Sequence, residues 1–424
     1  MTEHTLTGFG FGPIQGGLFV KEAFDSGRFG RMVIAEIDAA LVQAVREAGG
    51  SYHVNIAGSD GIETVRIDAV ELLNPREPDE RRRLVEALEQ STEIVTSLPS
   101  VSFYEAGGHD SVSALITDAV AADSAPATVI YTAENNNHAA EILSASLRRR
   151  MHGSFGRAVQ CLNTVIGKMS RVVTDAAEIE RLGLTPIAPG LDRAFLVEAF
   201  NRILVTRTRI DGFAPGIDVF AEKDDLLPFE EAKLYGHNAI HALLAYLGAL
   251  KGYEGMTDLK DDASLMGVAR DAFLKESGGA LVKKYASLGD ELFTESGYRD
   301  YAADLLDRMT NPWLADTVAR AGRDVVRKLG PSDRIFGTMQ LALEYGVEPR
   351  NMALGALAAV ARVLSEAEAC GLPKDLRAGD WRTLKRPQLA AILRHIWSPN
   401  MPPEGERLID LTFQAIGPLA RRVG

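Results

Sequence analysis

The chain has 424 residues, a formal net charge of −12 and 25% charged residues. A chain of this length is too long to fold around one small hydrophobic core, so we expect two domains. The acidic balance argues against a general nucleic-acid binder. The most apolar stretches, such as HALLAYLGAL, are about half as long as a bilayer span requires, so we expect no membrane segment.

The two cysteines, Cys161 and Cys370, are far apart in the sequence. This spacing predicts neither a disulfide framework nor a metal site of the C-x2-C kind. The first residues, MTEHTLTGFGFG, lack the basic and apolar regions of a signal peptide. We therefore expect a soluble, cytoplasmic protein that acts on a small molecule, and the sequence leaves its oligomeric state open, a monomer included.

Strands and helices alternate through the first half of the chain. Predicted strands are HTLTGFG, RMVIAEI, TEIVTSLP and ATVIYTA, with shorter β-like runs at SYHVNI, ETVRID and AVELLN and one late strand in FLVEAFNRILVTR. Predicted helices cover residues 13–28 and 111–122 and the segments EPDERRRLVEALEQ and NHAAEILSASLRRRM. This alternation predicts a parallel sheet with helices on both faces.

The composition changes at residue 208. The segment TRIDGFAPGIDVFAEKDDLLP is rich in Gly, Pro and Asp, which predicts a linker or a loop that crosses between domains. From residue 228 the periodicity is helical nearly throughout. We therefore expect an α/β chain of two parts. A Rossmann-type, doubly wound domain occupies residues 1–210, and a mostly α-helical domain occupies residues 211–424.

A glycine-rich turn, GFGFGPIQGG, follows the first predicted strand. Gly10 and Gly12 let the backbone approach a pyrophosphate, and the next helix presents its N-terminus to it. The third glycine of the G-x-G-x-x-G pattern is Gln15, and a glycine-rich turn without a ligand is the alternative. The strand–turn–helix context favours a dinucleotide. Acids after the second strand, Glu36 and Asp38, favour NAD over NADP. The candidate cofactor-binding residues are Gly10, Gly12, Pro13, Ile14, Gln15 and Glu36.

Four polar residues lie within KLYGHNAIH. On an α-helix, Lys233, His237, Asn238 and His241 occupy less than half of the circumference. Such residues are costly to bury on an otherwise apolar helix unless they bind something. A polar helix edge that faces solvent is the alternative.

The K-x4-N-x2-H pattern behind a Rossmann domain resembles the polyol-specific long-chain dehydrogenases, the mannitol dehydrogenase family. Similar stretches include FGFGPIQGGLF, VIAEIDAALVQAV, TAENNNHAAEIL, KESGGALVKKY and NPWLADTVARAGRDVVRKLGPSDRI. The resemblance implies a metal-independent, NAD-dependent enzyme. It implies that Lys233 is the general base, that Asn238 and Asn135 hold the reacting oxygen, and that His241 orients substrate or lysine. It implies no role for His237, which we expect to lie behind these residues or at the surface.

GRDVVRKLGPSDR supplies four cations. The phosphate-using members of the family carry a similar segment, so Arg323, Arg327, Lys328 and Arg334 are candidate ligands of a sugar phosphate. A solvated helix end with basic residues at its C-terminus is the alternative.

The chain departs from the family pattern at LNTVIGKMSR. Asn163 and Thr164 match, but Gly167 and Lys168 stand where the family has aspartate and arginine. These changes suggest an altered substrate, which we expect Asn163 and Lys168 to contact. Lys168 and Arg171 are two nearby cations that we expect to face a carboxylate or phosphate of this substrate. Exposed charges at a strand end are the alternative.

The expected function is NAD-dependent interconversion of a secondary alcohol of a sugar alcohol, or of its phosphate, with the ketose, of the mannitol 1-phosphate to fructose 6-phosphate type. A dehydrogenase of a sugar acid or other β-hydroxyacid is an alternative, although such enzymes space the lysine and asparagine as K-x3-N. A non-catalytic NAD sensor is another. Zinc and short-chain dehydrogenases are disfavoured because the chain lacks a cysteine pair and a Tyr-x3-Lys motif.

Overall fold

The computed structural model describes residues 4–121, 126–151, 158–377 and 379–424. It divides into two compact units, Met1–Leu227 and Pro228–Gly424. The boundary lies later than residue 210, because a strand at Phe220–Lys223 pairs in parallel with one at Ile203–Thr206. Part of the segment that reads as a linker, Phe220–Lys223, therefore belongs to the sheet of the first unit.

The first unit is built on an eight-stranded sheet with the order β12-β11-β8-β7-β6-β1-β2-β5. Six neighbouring strands, β8 to β5 in that order, run parallel, and β11 and β12 run against them. The parallel part has the strand order of a dinucleotide-binding fold. Its strands are β1 His4–Phe9, β2 Phe29–Ala35, β5 Val70–Leu73, β6 Glu93–Thr96, β7 Thr128–Thr132, β8 Val159–Ile166, β11 Ile203–Thr206 and β12 Phe220–Lys223.

Apolar side chains cover both faces of this sheet. Successive residues of β7 alternate between two cores: Val129 and Tyr131 pack in one, and Ile130 packs in the other. Strands buried on both faces are typical of parallel sheets. The connecting helices are α1 Lys21–Ser26, α2 Ala39–Glu47, α3 Pro78–Gln90, α4 Val112–Val120, α5 Ala139–Arg150 and α6 Ala176–Leu182, with 3-10 turns at Val101–Tyr104 and Gly108–Asp110.

A second sheet of four strands, in the order β4-β3-β10-β9, was not expected from the sequence. Its strands are β3 Tyr52–Ala57, β4 Ile62–Ile67, β9 Ser170–Val173 and β10 Ala194–Glu198. The late strand expected in FLVEAFNRILVTR is two strands, β10 in this sheet and β11 in the main one, so that expectation was wrong. The four residues between them turn the chain from one sheet to the other.

The second sheet packs close to the helix that follows the glycine-rich turn. A Cβ on Gly16 would lie 2.9 Å from the Phe195 ring, and one on Gly17 would lie 2.6 Å from Val197. The double glycine therefore lets the helix approach this sheet. Phe11 packs its ring edge-on to Tyr52, with ring centroids 4.9 Å apart.

The second unit is helical. At its centre α8 (Ala239–Leu250) and α15 (Arg350–Ser365) pack together, and most residues of both are buried. Helices that are apolar all round belong in a core. The helices are α7 Leu227–Glu231, α8 Ala239–Leu250, α9 Ala263–Asp271, α10 Gly278–Tyr285, α11 Glu295–Met309, α12 Val318–Ala321, α13 Val325–Lys328, α14 Phe336–Glu344, α15 Arg350–Ser365, α16 Arg386–Trp397, α17 Gly405–Gln414 and α18 Ile416–Val423. The 3-10 turns that the structure describes in this unit are Met256–Leu259, Ala286–Leu288, Glu291–Phe293, Pro312–Leu314, Lys374–Leu376 and Trp381–Thr383.

Among the described residues, three helical segments are wound as π-helix, with hydrogen bonds from residue i to i+5: Gln15–Val20 before α1, Ala232–Asn238 before α8, and Ala272–Ser277 before α10. Such segments are rare and are frequent at functional sites. Two of the three coincide with sequence motifs, the glycine-rich turn and the lysine motif. The fold class predicted from the sequence, a Rossmann-type unit followed by a mostly helical one, is confirmed. None of the helices in the described ranges is long and apolar enough to cross a membrane.

One buried carboxyl stands out in the sheet. Glu93, the first residue of β6, has no exposed surface; its Oε1 accepts the Gly216 N–H at 2.6 Å and lies 3.2 Å from His4 Nδ1. Burial raises the pKa of Glu93 to about 7, although the bond from Gly216 opposes the shift. A carboxyl with a raised pKa favours folding while it is protonated, and this contribution is lost as the pH rises from the unfolded value through about 7.

We therefore expect the free energy of unfolding of Glu93→Gln to increase, relative to that of the wild type, as the pH rises. The difference in free energy of unfolding should shift by about 2 kcal/mol between pH 5.5 and pH 8.5. Urea denaturation followed by circular dichroism at both pH values measures it. An offset that is the same at the two pH values would show that Glu93 is ionised throughout.

Candidate active site

The glycine-rich turn lies at the carboxyl end of β1. Gly10 has a φ of 81°, in the left-handed region, and a Cβ there would lie 2.8 Å from the Ser97 carbonyl oxygen. Only glycine fits this position without strain. A Cβ on Gly12, in contrast, would meet nothing within 4 Å. The chain is therefore open at Gly12, beside the first turn of the helix, where unbonded N–H groups are available to an anion.

Gln15 stands where a dinucleotide-binding turn usually has its third glycine. Its side chain is fully buried, and neither polar atom has a hydrogen-bond partner among the described residues. A Cβ on Gly8 would collide with the Gln15 amide. The amide thus lies over β1, in space that Gly8 leaves vacant. Gly12, Pro13 and Ile14 remain partly exposed for a ligand.

Glu36 joins the end of β2 to the glycine-rich turn. Its Oε2 accepts the Phe11 N–H at 2.8 Å, and its Oε1 accepts the Asp38 N–H at 2.8 Å. Asp38 has a different role: it caps α2 and pairs with Arg193 at 2.6 Å. Of the two acids after β2, Glu36 is therefore the one held against the turn by its own carboxylate.

Asn135 is exposed just beyond the carboxyl end of β7. The residue before it, Glu134, is buried and accepts hydrogen bonds from Thr96 Oγ1 and the Leu98 N–H, both at 2.9 Å, and from the Tyr104 hydroxyl. Burial raises the pKa of Glu134. This network ties the ends of β6 and β7 together beneath Asn135. Sequence reasoning did not identify Glu134, although it precedes a residue that it did identify.

Two residues expected to contact substrate make bonds inside the first unit. The Asn163 amide accepts the Ala140 N–H at 2.9 Å and donates to Glu141 at 2.9 Å, which holds the start of α5. Lys168 is buried, and its Nζ donates to the carbonyl oxygens of Glu198 at 2.5 Å and Phe200 at 2.8 Å.

Lys168 is therefore not at an exposed strand end; its ammonium holds the chain between β10 and β11. Arg171 likewise makes two bonds to Glu178, at 2.7 and 3.0 Å. At Gly167 a Cβ would meet only the Phe200 ring, at 3.6 Å. The position that carries the family's aspartate thus has room for a side chain but carries none.

The lysine motif lies in the π-helical segment Ala232–Asn238. The helical wheel assumed for the sequence is therefore wrong here, because it used the α-helical repeat. When hydrogen bonds run from i to i+5, each turn holds more residues, so the residue five positions on comes closer to the first around the helix axis than in an α-helix. Asn238 thus lies nearer to the side of the helix that carries Lys233 than the α-helical repeat suggests. The motif continues into α8 with His241.

Lys233 is half-buried, with Arg334 near it. Burial lowers the pKa of Lys233 to about 8; the Arg334 cation adds to the shift, and Glu230 opposes it. Removing an ammonium from water and placing it near another cation are two standard ways to depress a lysine pKa. A useful fraction of Lys233 is therefore neutral near physiological pH.

The two histidines differ in their surroundings. His237 is 6% exposed, and burial together with the nearby His241 holds its pKa well below the usual value. Its ring lies edge-on to His241, with centroids 6.3 Å apart. His237 is thus behind the site and not at the surface. His241 Nε2 lies 3.0 Å from Asp316 Oδ2, a contact that no sequence motif indicated.

The four cations of GRDVVRKLGPSDR are in different situations. Lys328 is buried, and its Nζ donates to the Ala321 carbonyl at 2.6 Å. Burial lowers the pKa of Lys328 to about 8, and Arg334, Arg327 and Arg323 add to the shift. Arg327 and Arg334 share Asp333, at 2.8 and 2.9 Å, while Arg323 is exposed. The arginines therefore lie within electrostatic range of Lys328, and Arg334 also acts on Lys233.

No group of three or more His, Cys, Asp or Glu side chains that could hold a metal ion occurs in the part of the chain that the structure describes.

Comparison with known proteins gives two findings. Residues 225–394 match the family model of the mannitol dehydrogenase C-terminal domain. The mannitol 2-dehydrogenase of Pseudomonas fluorescens, solved in a ternary complex with NAD and D-mannitol, is similar over 100% of this chain and 94% of its own, with 17% identity and a TM-score of 0.68. A D-sorbitol dehydrogenase, solved in substrate-free form, is similar over 99% and 94%, with 14% identity and a TM-score of 0.72.

The matched C-terminal domain covers the lysine motif, Asp316 and the four cations, and the structural likeness extends the same fold over the first unit. Residues 225–394 thus carry the C-terminal domain of the family that the residue motifs predicted. Over its whole length, the chain has the fold of the mannitol and sorbitol dehydrogenases.

Proposed function

We propose that the chain is an NAD-dependent dehydrogenase that interconverts a secondary alcohol of a polyol, or of an anionic polyol derivative, with the corresponding ketone. The observation that carries this proposal is the lysine amine in the π-helical segment, whose pKa of about 8 suits a general base near neutral pH. The fold of the mannitol and sorbitol dehydrogenases supports it.

The first unit is suited to the cofactor. The open position at Gly12 and the following helix start fit a pyrophosphate, and Glu36 after β2 fits an adenosine ribose. NAD supplies a hydride acceptor when bound. Because the Gln15 side chain is buried over β1, we assign the cofactor contacts to Gly10, Gly12, Pro13 and Ile14, with Glu36.

The second unit supplies the proton chemistry. Neutral Lys233 takes the proton of the substrate hydroxyl as hydride leaves the carbon that bears this hydroxyl. Asn238, on the same side of the helix, donates its amide N–H to the oxygen as negative charge develops there. We assign to Asn135 the same kind of contact, from its exposed position after β7. No metal ion is needed in this scheme, because the lysine replaces a metal-bound base.

An anionic substrate fits the charges around Lys233. Arg334 acts electrostatically on Lys233, and Arg327 and Arg323 lie in the same group of cations. We propose that these three arginines attract a phosphate, as in a hexitol phosphate. Lys328 supports them from behind, because its ammonium is directed to a backbone carbonyl. A sugar acid carries its negative charge as a carboxylate and is the second candidate.

A panel of polyols, polyol phosphates, aldonates and uronates, tested with NAD by absorbance at 340 nm, examines the proposal. We expect turnover of a polyol phosphate, and expect overnight dialysis against EDTA to leave it unchanged. Turnover of sugar acids alone would select the second candidate. If no member of the panel is oxidised and NAD still binds, the non-catalytic alternative is correct.

We expect Lys233→Ala to lower kcat by about a hundredfold or more, the scale for loss of a general base. Asn238→Ala should lower kcat by a comparable amount through lost oxyanion stabilisation. Stopped-flow and steady-state kinetics on the best substrate measure both, with Kd for NAD expected to stay near the wild-type value.

His237→Ala is the matched control, because it removes a polar side chain from the same segment. Since His237 is buried, this variant should lower the melting temperature and reduce kcat far less. A His237 variant more damaging to kcat than the Lys233 variant would reverse the assignment of roles.

The Lys233 pKa predicts a pH profile. For alcohol oxidation, kcat/KM should rise with pH and level off above about 8, because only neutral lysine accepts the proton. Arg334→Gln removes the neighbouring cation, so the lysine pKa and the midpoint of the profile should move to higher pH. Arg350→Gln, a change at an exposed arginine paired with Glu348, is the control and should leave the midpoint in place.

We expect NAD to bind more tightly than NADP, because the Glu36 carboxylate repels a 2′-phosphate. Glu36→Gln removes the charge while keeping one oxygen to accept a backbone N–H. In this variant the ratio of Kd for NADP to Kd for NAD should fall by about tenfold, equivalent to ~1.4 kcal/mol. Fluorescence titration gives Kd for both cofactors. Equal or tighter NADP binding by the wild type would reject the assignment and point to Arg193, which lies beside Asp38.

A further inference from the structure

We infer that Asp316 is a positioning residue that keeps a hydrogen on His241 Nε2, so that His241 presents its Nδ1 lone pair to a hydroxyl of the substrate. The inference rests on the proposed function and deepens it, because it decides which atom of His241 acts and in which direction its hydrogen bond runs.

The contact joins two elements that are distant in the sequence. His241 Nε2, in the first turns of α8, lies 3.0 Å from Asp316 Oδ2, which lies between the 3-10 turn Pro312–Leu314 and α12. The side chain of Asp316 is 3% exposed, and that of His241 is 16% exposed. The bond is therefore shielded from water, while the histidine keeps some accessible surface.

Asp316 is itself held from several sides. Its Oδ1 accepts hydrogen bonds from Arg320 Nε at 2.6 Å and from the Thr317 N–H at 2.8 Å. Its backbone carbonyl accepts the Met256 N–H at 2.8 Å. The preceding residue, Ala315, has a φ of 46°, a left-handed conformation that a non-glycine residue adopts only where its surroundings impose it. The carboxylate thus has little freedom to rotate away from His241.

The charge state of Asp316 determines the hydrogen position on His241. Burial acts to raise the pKa of Asp316, but the hydrogen bonds from His241 and Arg320 outweigh it and hold this pKa well below the usual value. An ionised carboxylate only accepts hydrogen bonds. The hydrogen between the two side chains therefore belongs to His241 Nε2.

In the neutral ring, the position of the hydrogen on one nitrogen determines the role of the other nitrogen. In a neutral imidazole with a hydrogen on Nε2, Nδ1 carries a lone pair and acts as an acceptor. A polyol offers hydroxyl groups next to the reacting carbon, and each can donate one hydrogen bond to such an acceptor. His241 would then orient the substrate relative to Lys233 instead of exchanging the reacting proton.

Asp316→Asn tests the inference, since an amide of the same shape can donate to Nε2 and so favour a hydrogen on Nδ1. In protein labelled with 15N-histidine, the signals lost in His241→Ala identify the ring. We expect them to report a hydrogen on Nε2 in the wild type and on Nδ1 in Asp316→Asn. Asp271→Asn is the matched control: Asp271 is the half-exposed last residue of α9 and pairs with Lys275, so its replacement should change neither these signals nor turnover.

Kinetics separate positioning from a general structural effect. Asp316→Asn should lower kcat/KM by about tenfold to a hundredfold, the scale found when a hydrogen-bond partner of a metal-bound histidine is replaced, with Kd for NAD unchanged. Because Asp316 acts through His241, the double variant should be no worse than His241→Ala alone. Additive losses, or an imidazole unchanged in Asp316→Asn, would overturn the inference. Absence of turnover by the wild type on every substrate would reject the proposed function instead, because the labelled ring is observed without activity.

Discussion

The chemistry that we propose for the second unit depends on shielding one lysine ammonium from water. A solvated lysine is almost wholly charged at neutral pH and cannot accept a proton. Burial in an apolar helical unit, next to the guanidinium of Arg334, brings the Lys233 pKa to about 8. The surrounding features serve this condition: α8 and α15 form the apolar centre, and Asp333 balances the arginines so that their charges do not accumulate unopposed.

Much of the fold was predictable because hydrophobic periodicity is local. The alternation of strands and helices identified the Rossmann-type unit, and the change of period identified the helical one. The second sheet escaped because its strands are short and its pairings join segments such as 52–57 and 194–198, which no local pattern connects. The run from 194 to 206 was apolar and β-like throughout, and the bend at 199–202 depends on Lys168, which is a tertiary contact.

In the candidate site, too, the sequence revealed the types of the residues, whereas their contacts and burial depend on the folded structure. The lysine motif was recognisable because its polar residues stand out on an apolar helix. The π-helical winding was not, since it changes hydrogen bonding without a distinctive residue. Asp316 lies 75 residues from His241, so only folding brings them together. Lys168 and Lys328 were expected to face an anion, yet both ammonium groups are bonded to backbone carbonyls, because a positive charge in the sequence does not reveal its degree of burial.

The packing of Gln15 over Gly8 has a consequence for how this turn can vary. A larger residue at position 8 collides with the glutamine, and glycine at position 15 leaves a void above the strand. Each single replacement is therefore unfavourable, whereas glycine at 15 together with alanine at 8 refills part of the space once the Ile34 side chain moves, because Ile34 Cδ1 lies 2.7 Å from the Cβ position of residue 8. The two sites are therefore coupled: a survey of single substitutions would classify both as intolerant, although the double change relieves the clash with the glutamine. Engineering of the cofactor turn should accordingly begin from the double change.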